Sequence, residues 1–115
     1  MVKGYYHDKF IVFGKEGKAY AFFLSNIPDP HPGVILLADN FEGYTPNIVF
    51  LENSENVKES IEKLRINPKI DGLLNYYFLG VLLEQLPSHR RDIFIDIWSG
   101  LDSVPKINNI LKKFI

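Results

Sequence analysis

The sequence predicts an α/β or α+β fold, a single domain over residues 1–115. A chain of 115 residues, of which 46% are hydrophobic, has the size and apolar content of one globular domain. Its first half holds short apolar runs separated by Gly and Pro, as strands do, and its second half holds helical patterns. We therefore expect a mixed sheet of about four to six strands, an N-terminal β-hairpin, and about three helices packed mainly on one face.

Two apolar runs near the start of the chain predict the hairpin. Residues 10–13 and 20–24 are rich in β-branched and aromatic side chains. The segment between them, residues 14–18, is polar and contains two glycines, as a turn between paired strands requires.

Two further runs predict buried strands. Residues 34–38 and 48–51 are apolar at every position, which is typical of a strand covered on both faces. The segment that joins them, residues 39–46, is predicted as a loop.

The first helix is predicted to begin at Glu55, where Ser54 or Asn53 can cap it. Apolar residues then recur with helical spacing, and Pro68 ends the pattern. The stripe consists of Val57, Ile61 and Leu64.

Residues 70–86 are apolar almost all round, and their pattern leaves two alternatives open. One is a single helix that Asp71 caps and Pro87 ends. The other is a strand over residues 72–77 followed by a helix over residues 78–86. We favour the single helix, because leucine dominates the segment.

The last part of the chain predicts one strand and one helix. Residues 92–98 carry Ile at every second position, which is the period of a strand. Ser103 can cap a final helix that has Pro105 in its first turn. Two strands joined by a helical crossover predict a right-handed parallel unit, so we expect residues 48–51 and 92–98 to run in the same direction.

Composition excludes several kinds of protein. The chain has no cysteine, which removes disulfides and thiolate metal sites. Its longest nearly apolar run, residues 72–83, is shorter than the roughly 20 residues that a membrane-spanning helix needs, so we expect a cytoplasmic protein without membrane contact. A net charge of −1 argues against nucleic acid as the partner.

Acidic residues follow three of the predicted strands, and they are candidate catalytic and metal-binding groups. Glu52 ends one strand, Asp39 ends another, and Asp96 lies near the end of the third. Ligands of α/β sheets bind beyond the carboxyl ends of parallel strands, where we expect Glu52 and Asp96 to meet. Such carboxylates could hold Mg²⁺ for phosphoryl transfer or phosphodiester cleavage.

The segments around these acids carry two family resemblances. Residues 48–56 and 92–102 resemble the first strand and the phosphoacceptor strand of response-regulator receiver domains. That resemblance implies that Glu52 helps to bind Mg²⁺ and that Asp96 accepts phosphate. The same positions also resemble a Toprim fold, with Glu52 as its strand-end glutamate and Asp96 as its first aspartate. Since both families fit the same residues, we assign neither.

A short basic cluster is the candidate ligand-binding site. His89, Arg90 and Arg91 precede a predicted strand and could bind a phosphate or the acid of a partner.

Two functions of different classes remain. The first is a non-catalytic binding or regulatory module that contacts itself, as a homodimer, or another protein. The surplus of apolar side chains in residues 73–86 favours it, because a small domain covers only part of its apolar surface. The alternative is the metal-assisted enzyme that uses Glu52 and Asp96, with Mg²⁺ as its cofactor.

Overall fold

The described part of the chain forms one five-stranded sheet and three α-helices. The computed structural model describes residues 9–24, 30–42 and 45–115. Its strands are β1 (Lys9–Phe13), β2 (Ala19–Leu24), β3 (Gly33–Glu42), β4 (Thr45–Ser54) and β5 (Phe78–Leu83). Its helices are α1 (Val57–Arg65), α2 (Pro87–Ser99) and α3 (Lys106–Leu111), and two short 3₁₀ turns, Pro68–Ile70 and Leu73–Tyr76, precede β5. The predicted fold class, with a single sheet of this size and about three helices, is confirmed.

All neighbouring strands of the sheet are antiparallel, in the order β1-β2-β5-β3-β4. The predicted parallel unit is therefore wrong. It required residues 92–98 to be a strand beside β4, and these residues belong to α2. The central position of the sheet is filled by β5, which pairs with both β2 and β3.

The N-terminal hairpin is confirmed. Strands β1 and β2 pair from Lys9 with Phe23 to Phe13 with Ala19. Gly17 lies in the turn with a φ of 86°, a conformation that glycine adopts without a steric penalty.

Strands β3 and β4 form a second hairpin that is longer than expected. Its strands run to Glu42 and from Thr45, so most of the predicted loop over residues 39–46 belongs to the strands. A register shift between Leu37 and Ala38 places both Val49 and Phe50 against the same core cluster.

Both alternatives for residues 70–86 are wrong. The segment forms the 3₁₀ turn Leu73–Tyr76 and then β5. Because the run is apolar all round, its pattern fits any buried element. The segment is a strand because it pairs with both β2 and β3 in the sheet. In β5, Val81 faces one core cluster and Leu82 faces the other.

The helix α2 replaces the strand predicted over residues 92–98. Pro87 lies in its first turn, where proline is well tolerated, although the sequence suggested that this proline ends a helix. Its buried side chains are Arg90, Phe94 and Ile97, which have the i, i+4, i+7 spacing of one helical face. Ile93 and Ile95 also pack against the core cluster that contains Phe94 and Ile97, so the alternating isoleucines belong to a wide apolar helix face.

The other two helices lie where they were predicted, with different caps. Asn56, and not Ser54 or Asn53, caps α1 by accepting a 3.0 Å hydrogen bond from the amide of Glu59. At the start of α3 the capping position is occupied by Pro105, and not by Ser103.

The sheet separates two core clusters. Helices α1 and α3 pack on one face against β3, β4 and β5. Helix α2 packs on the opposite face, where all five strands contribute side chains to the packing. Two of the three helices thus share a face, as expected. Within the described residues, no helix has both the length and the apolar character that crossing a bilayer demands.

Candidate functional site

Glu52 lies on β4 and faces α1. It is paired with Ile35, which belongs to the core cluster beneath α1 and α3. One carboxylate oxygen, Oε2, accepts a 3.2 Å hydrogen bond from the hydroxyl of Ser60, and Oε1 lies 3.7 Å from Nζ of Lys113. Glu52 therefore contacts Ser60 of α1 and Lys113, which follows α3.

Asp96 lies on the other side of the sheet, on α2. Its Oδ2 accepts a 2.7 Å hydrogen bond from the Tyr20 hydroxyl, and its Oδ1 accepts a 3.1 Å bond from the amide of Glu16. Its backbone oxygen accepts a further bond, of 2.9 Å, from the amide of Lys15. Asp96 thus fastens α2 to the first hairpin.

Asp96 and Tyr20 shift one another's titration. The hydrogen bond from Tyr20 lowers the pKa of Asp96, and the amide of Glu16 acts in the same direction against the effect of burial. Burial, followed by the hydrogen bond to Asp96, raises the pKa of Tyr20 to about 12. The pair is therefore a neutral phenol bonded to a charged carboxylate across the ordinary pH range.

Asp39 joins neither acid. It accepts a 2.8 Å hydrogen bond from the side-chain amide of Asn47. Glu52 is paired with Ile35, four positions earlier on β3, so Asp39 and Glu52 are about 13 Å apart along the strand.

The predicted meeting of the carboxylates does not occur. Glu52 and Asp96 lie on opposite faces of the sheet, and Asp39 is distant from Glu52 along β3. A single Mg²⁺ needs its ligand oxygens at about 2.1 Å. In the described part of the chain, no three His, Asp or Glu residues are grouped so that they could hold a metal ion.

The three residues of the basic cluster do not form one surface, because α2 buries one of them and exposes the other two. His89 and Arg91 are exposed, whereas the Arg90 side chain is 5% exposed. Its Nε donates a 2.7 Å hydrogen bond to Oδ1 of Asn53, and its Nη1 donates a 3.2 Å bond to the backbone oxygen of Glu84. Arg90 therefore joins α2 to β4, and Arg91 alone of this pair is available at the surface.

The apolar surplus predicted in residues 73–86 is mostly used within the fold. Leu73, Leu74 and Leu79 pack against the core cluster beneath α1, and Leu82 packs on the other side. Leu83 is 48% exposed and points to the same face as Val81.

A group of exposed apolar side chains lies on the first hairpin, and sequence reasoning missed it. Ile11, Phe13 and Phe23 are 38%, 61% and 53% exposed. Their registers with Ala21, Ala19 and Val81 place them on the face that α1 and α3 cover elsewhere. Neither β1 nor β2 contributes to the core cluster beneath those helices. We call the surface formed by Ile11, Phe13, Phe23 and Leu83 the open face.

A signal for the open face was present in the sequence. Both strands of the hairpin carry apolar side chains at odd and at even positions, whereas a hairpin with one wet face alternates apolar and polar residues. Such a pattern is typical of strands that are covered on both faces.

No family model, curated protein or solved structure matches this chain. The described residues present the open face on β1, β2 and β5, and Asp96 joins α2 to the first hairpin.

Proposed function

We propose that this protein is a non-catalytic binding module that acts through protein–protein contacts, and that the open face binds a second copy of the chain. The observation that carries the proposal is the half of the sheet formed by β1 and β2, which has a helix on one side only. An exposed, contiguous apolar surface of this kind typically marks an interaction site.

The area of the open face suits a dimer of ordinary size. Its four side chains, at their observed exposure, offer on the order of 400 Å² of apolar surface. A stable interface buries about 800 Å² per partner, of which somewhat more than half is non-polar. The open face therefore supplies nearly all the apolar area that such an interface needs.

The relief of the open face favours a second copy as the occupant. On β1, Phe13 lies opposite Ala19 and Ile11 lies opposite Ala21, so each large side chain stands beside a small one. Ile11 and Phe13 thus form a ridge on β1 beside a trough at Ala19 and Ala21 on β2, and the trough ends at Phe23, which lies opposite Lys9. A twofold axis would place the ridge of each copy in the trough of the other, which is the self-complementarity that a symmetric dimer requires.

The metal-assisted enzyme has no geometric support. That alternative needs Glu52 and Asp96 at one point, and each is instead bonded to its own neighbours on opposite faces of the sheet.

Sedimentation equilibrium tests the proposal. Between about 1 µM and 1 mM the wild-type chain should pass from monomer to dimer. Phe13→Ser combined with Phe23→Ser should raise the dimer dissociation constant at least 100-fold, because it removes the two most exposed aromatic rings of the open face.

A matched control distinguishes dimerisation through the open face from non-specific association of exposed apolar side chains. Ile66 is 81% exposed, follows α1 and is not one of the residues that form the open face. Ile66→Ser should leave the dissociation constant unchanged. A wild-type chain that stays monomeric at about 1 mM, or an Ile66→Ser variant that dissociates as readily as the double variant, would refute the proposal.

A further inference from the structure

A second surface, remote from the open face, has the features of a site for a small organic anion. A cavity of about 510 Å³ lies between β4, α2 and the end of α3. Its volume is within the range of small-molecule pockets. Three cations from two elements border it, namely Arg91, Lys112 and Lys113.

The charges around this cavity are not balanced. Glu52 is the one carboxylate side chain among its lining residues, and it is already engaged by Lys113 and by the hydroxyl of Ser60. Neither Arg91 nor Lys112 forms an ion pair with a carboxylate of the described residues. Arg91 and Lys112 are therefore cations at the cavity that belong to no ion pair of the described residues.

A buried guanidinium adds to this positive field. Arg90 is 5% exposed, and both of its hydrogen-bond acceptors, Oδ1 of Asn53 and the backbone oxygen of Glu84, are neutral. A buried cation without a carboxylate partner is costly, and a nearby anion reduces the cost. Asn53 also lines the cavity. Because Oδ1 of Asn53 accepts from Arg90, its Nδ2 group remains to donate to an anion.

The floor of the cavity is apolar. Leu51, Phe94 and Ile95 come from β4 and α2, and Phe114 borders the opposite side. Phe94 is 8% exposed and stacks on Trp98, with the ring centroids 5.6 Å apart, so this floor is held in place by packing. An apolar floor beneath cationic groups matches a ligand that has one anionic head and an apolar body.

We infer that the cavity between β4, α2 and α3 binds a small organic anion, whose phosphate or carboxylate group is held by Arg91, Lys112 and Asn53 while its apolar body lies on Phe94 and Ile95. This site is independent of the open face, which is formed by other elements.

Three probes separate the contributions of charge and of apolar contact. Phenyl phosphate carries both features, inorganic phosphate carries only the charge, and benzyl alcohol carries only the ring. In amide NMR spectra of the ¹⁵N-labelled chain, phenyl phosphate should shift residues 51–53, 91–95 and 108–113. It should bind at least 10-fold more tightly than either of the other two probes. Equal affinity for all three, or shifts centred on other residues, would overturn the inference.

Variants test which cations hold the head group. Lys112 has a φ of 58°, and asparagine tolerates this left-handed conformation while removing the charge. Arg91→Gln with Lys112→Asn should weaken phenyl phosphate binding at least 10-fold. Lys58→Gln with Lys69→Gln removes two exposed cations elsewhere and should leave the affinity unchanged. Equal losses in both double variants would overturn the inference, because attraction would then depend on total charge.

Discussion

The side chain of Asn108 forms hydrogen bonds with the backbone of β4 at the edge of the sheet. Its Oδ1 accepts a 2.9 Å hydrogen bond from the amide of Leu51, and its Nδ2 donates 2.8 Å and 3.0 Å bonds to the backbone oxygens of Leu51 and Lys113. Strand β4 is an edge strand, so its outward backbone groups have no sixth strand to pair with. The amide of Asn108 takes that strand's place at Leu51.

Replacing Asn108 should therefore be costly. Asn108→Ala leaves the buried amide and carbonyl of Leu51 without partners, and we expect it to lower the free energy of unfolding by about 3 kcal/mol. Asn109 follows on the same helix and is exposed, so Asn109→Ala should change stability by less than about 0.5 kcal/mol. Urea denaturation measures both, and equal stability of the two variants would contradict this role.

The bond between Tyr20 and Asp96 makes stability depend on pH at both ends of the scale. The folded-state pKa of Asp96 is lowered, so its contribution is complete above about pH 4 and is lost as the pH falls through that lowered value. The pKa of Tyr20 is raised to about 12, so its contribution is complete below about pH 10 and is lost as the pH rises towards 12.

Tyr20→Phe isolates this effect. The difference in unfolding free energy between wild type and Tyr20→Phe should be constant from about pH 5 to pH 9 and should shrink at both extremes. Carboxyl ¹³C titration should also show a higher pKa for Asp96 in the variant, because its strongest hydrogen-bond donor is gone. An unchanged Asp96 pKa would show that the phenol does not hold this carboxylate.

Residue types alone single out side chains whose hydrogen bonds they do not reveal. Asp96 and Arg90 are candidate catalytic and ligand-binding groups by residue type, and in the structure each joins α2 to another element of the fold. Their partners, Tyr20 and Asn53, lie 76 and 37 positions away in the chain. Such pairings depend on the strand order, which residue patterns do not reveal.

At the level of elements, the first hairpin and α2 are fitted closely together. A Cβ on Gly14 would overlap the carboxylate of Asp96, and a Cβ on Gly100 would lie 3.0 Å from the amide nitrogen of Lys15. Glycine at these two positions lets the hairpin turn approach the end of α2. The close approach is what allows the amides of Lys15 and Glu16 to reach Asp96.

Gly14→Ala should separate these two elements. We expect it to lower the free energy of unfolding by about 2 kcal/mol, the usual cost of forcing a methyl group into packed structure. In the Asp96→Ala background the same substitution should cost much less, since the overlapping carboxylate is absent. Denaturation of the four chains gives this coupling, and equal costs in both backgrounds would contradict the account.

Local patterns sufficed for six of the eight main elements. Strands β1 to β4 and helices α1 and α3 have clear breaks or a clear apolar stripe, so their neighbourhoods in the sequence identify them. Helix α2 and strand β5 were misassigned because isoleucine alternation and an all-apolar run each fit more than one structure. Their true form depends on what the rest of the sheet leaves uncovered.

For the whole molecule, the decisive feature is an unequal covering of the sheet. One face is packed against α2 over all five strands, and the other is packed against α1 and α3 over β3, β4 and β5. The hairpin of β1 and β2 therefore has one face covered by α2, and its other face is the open face. The sequence predicted the apolar surplus in residues 73–86, and only Leu83 of that segment belongs to the open face, whose other residues lie on the hairpin.

Intermolecular paramagnetic relaxation tests the account most directly. The chain has no cysteine, so Gln85→Cys, an exposed position two residues beyond Leu83, carries a single spin label. When labelled ¹⁴N protein is mixed with unlabelled ¹⁵N protein, amides of residues 11–13, 19–23 and 83 in the second copy should broaden. Broadening confined to α2 or β4, or none at about 1 mM protein, would contradict a dimer built on the open face.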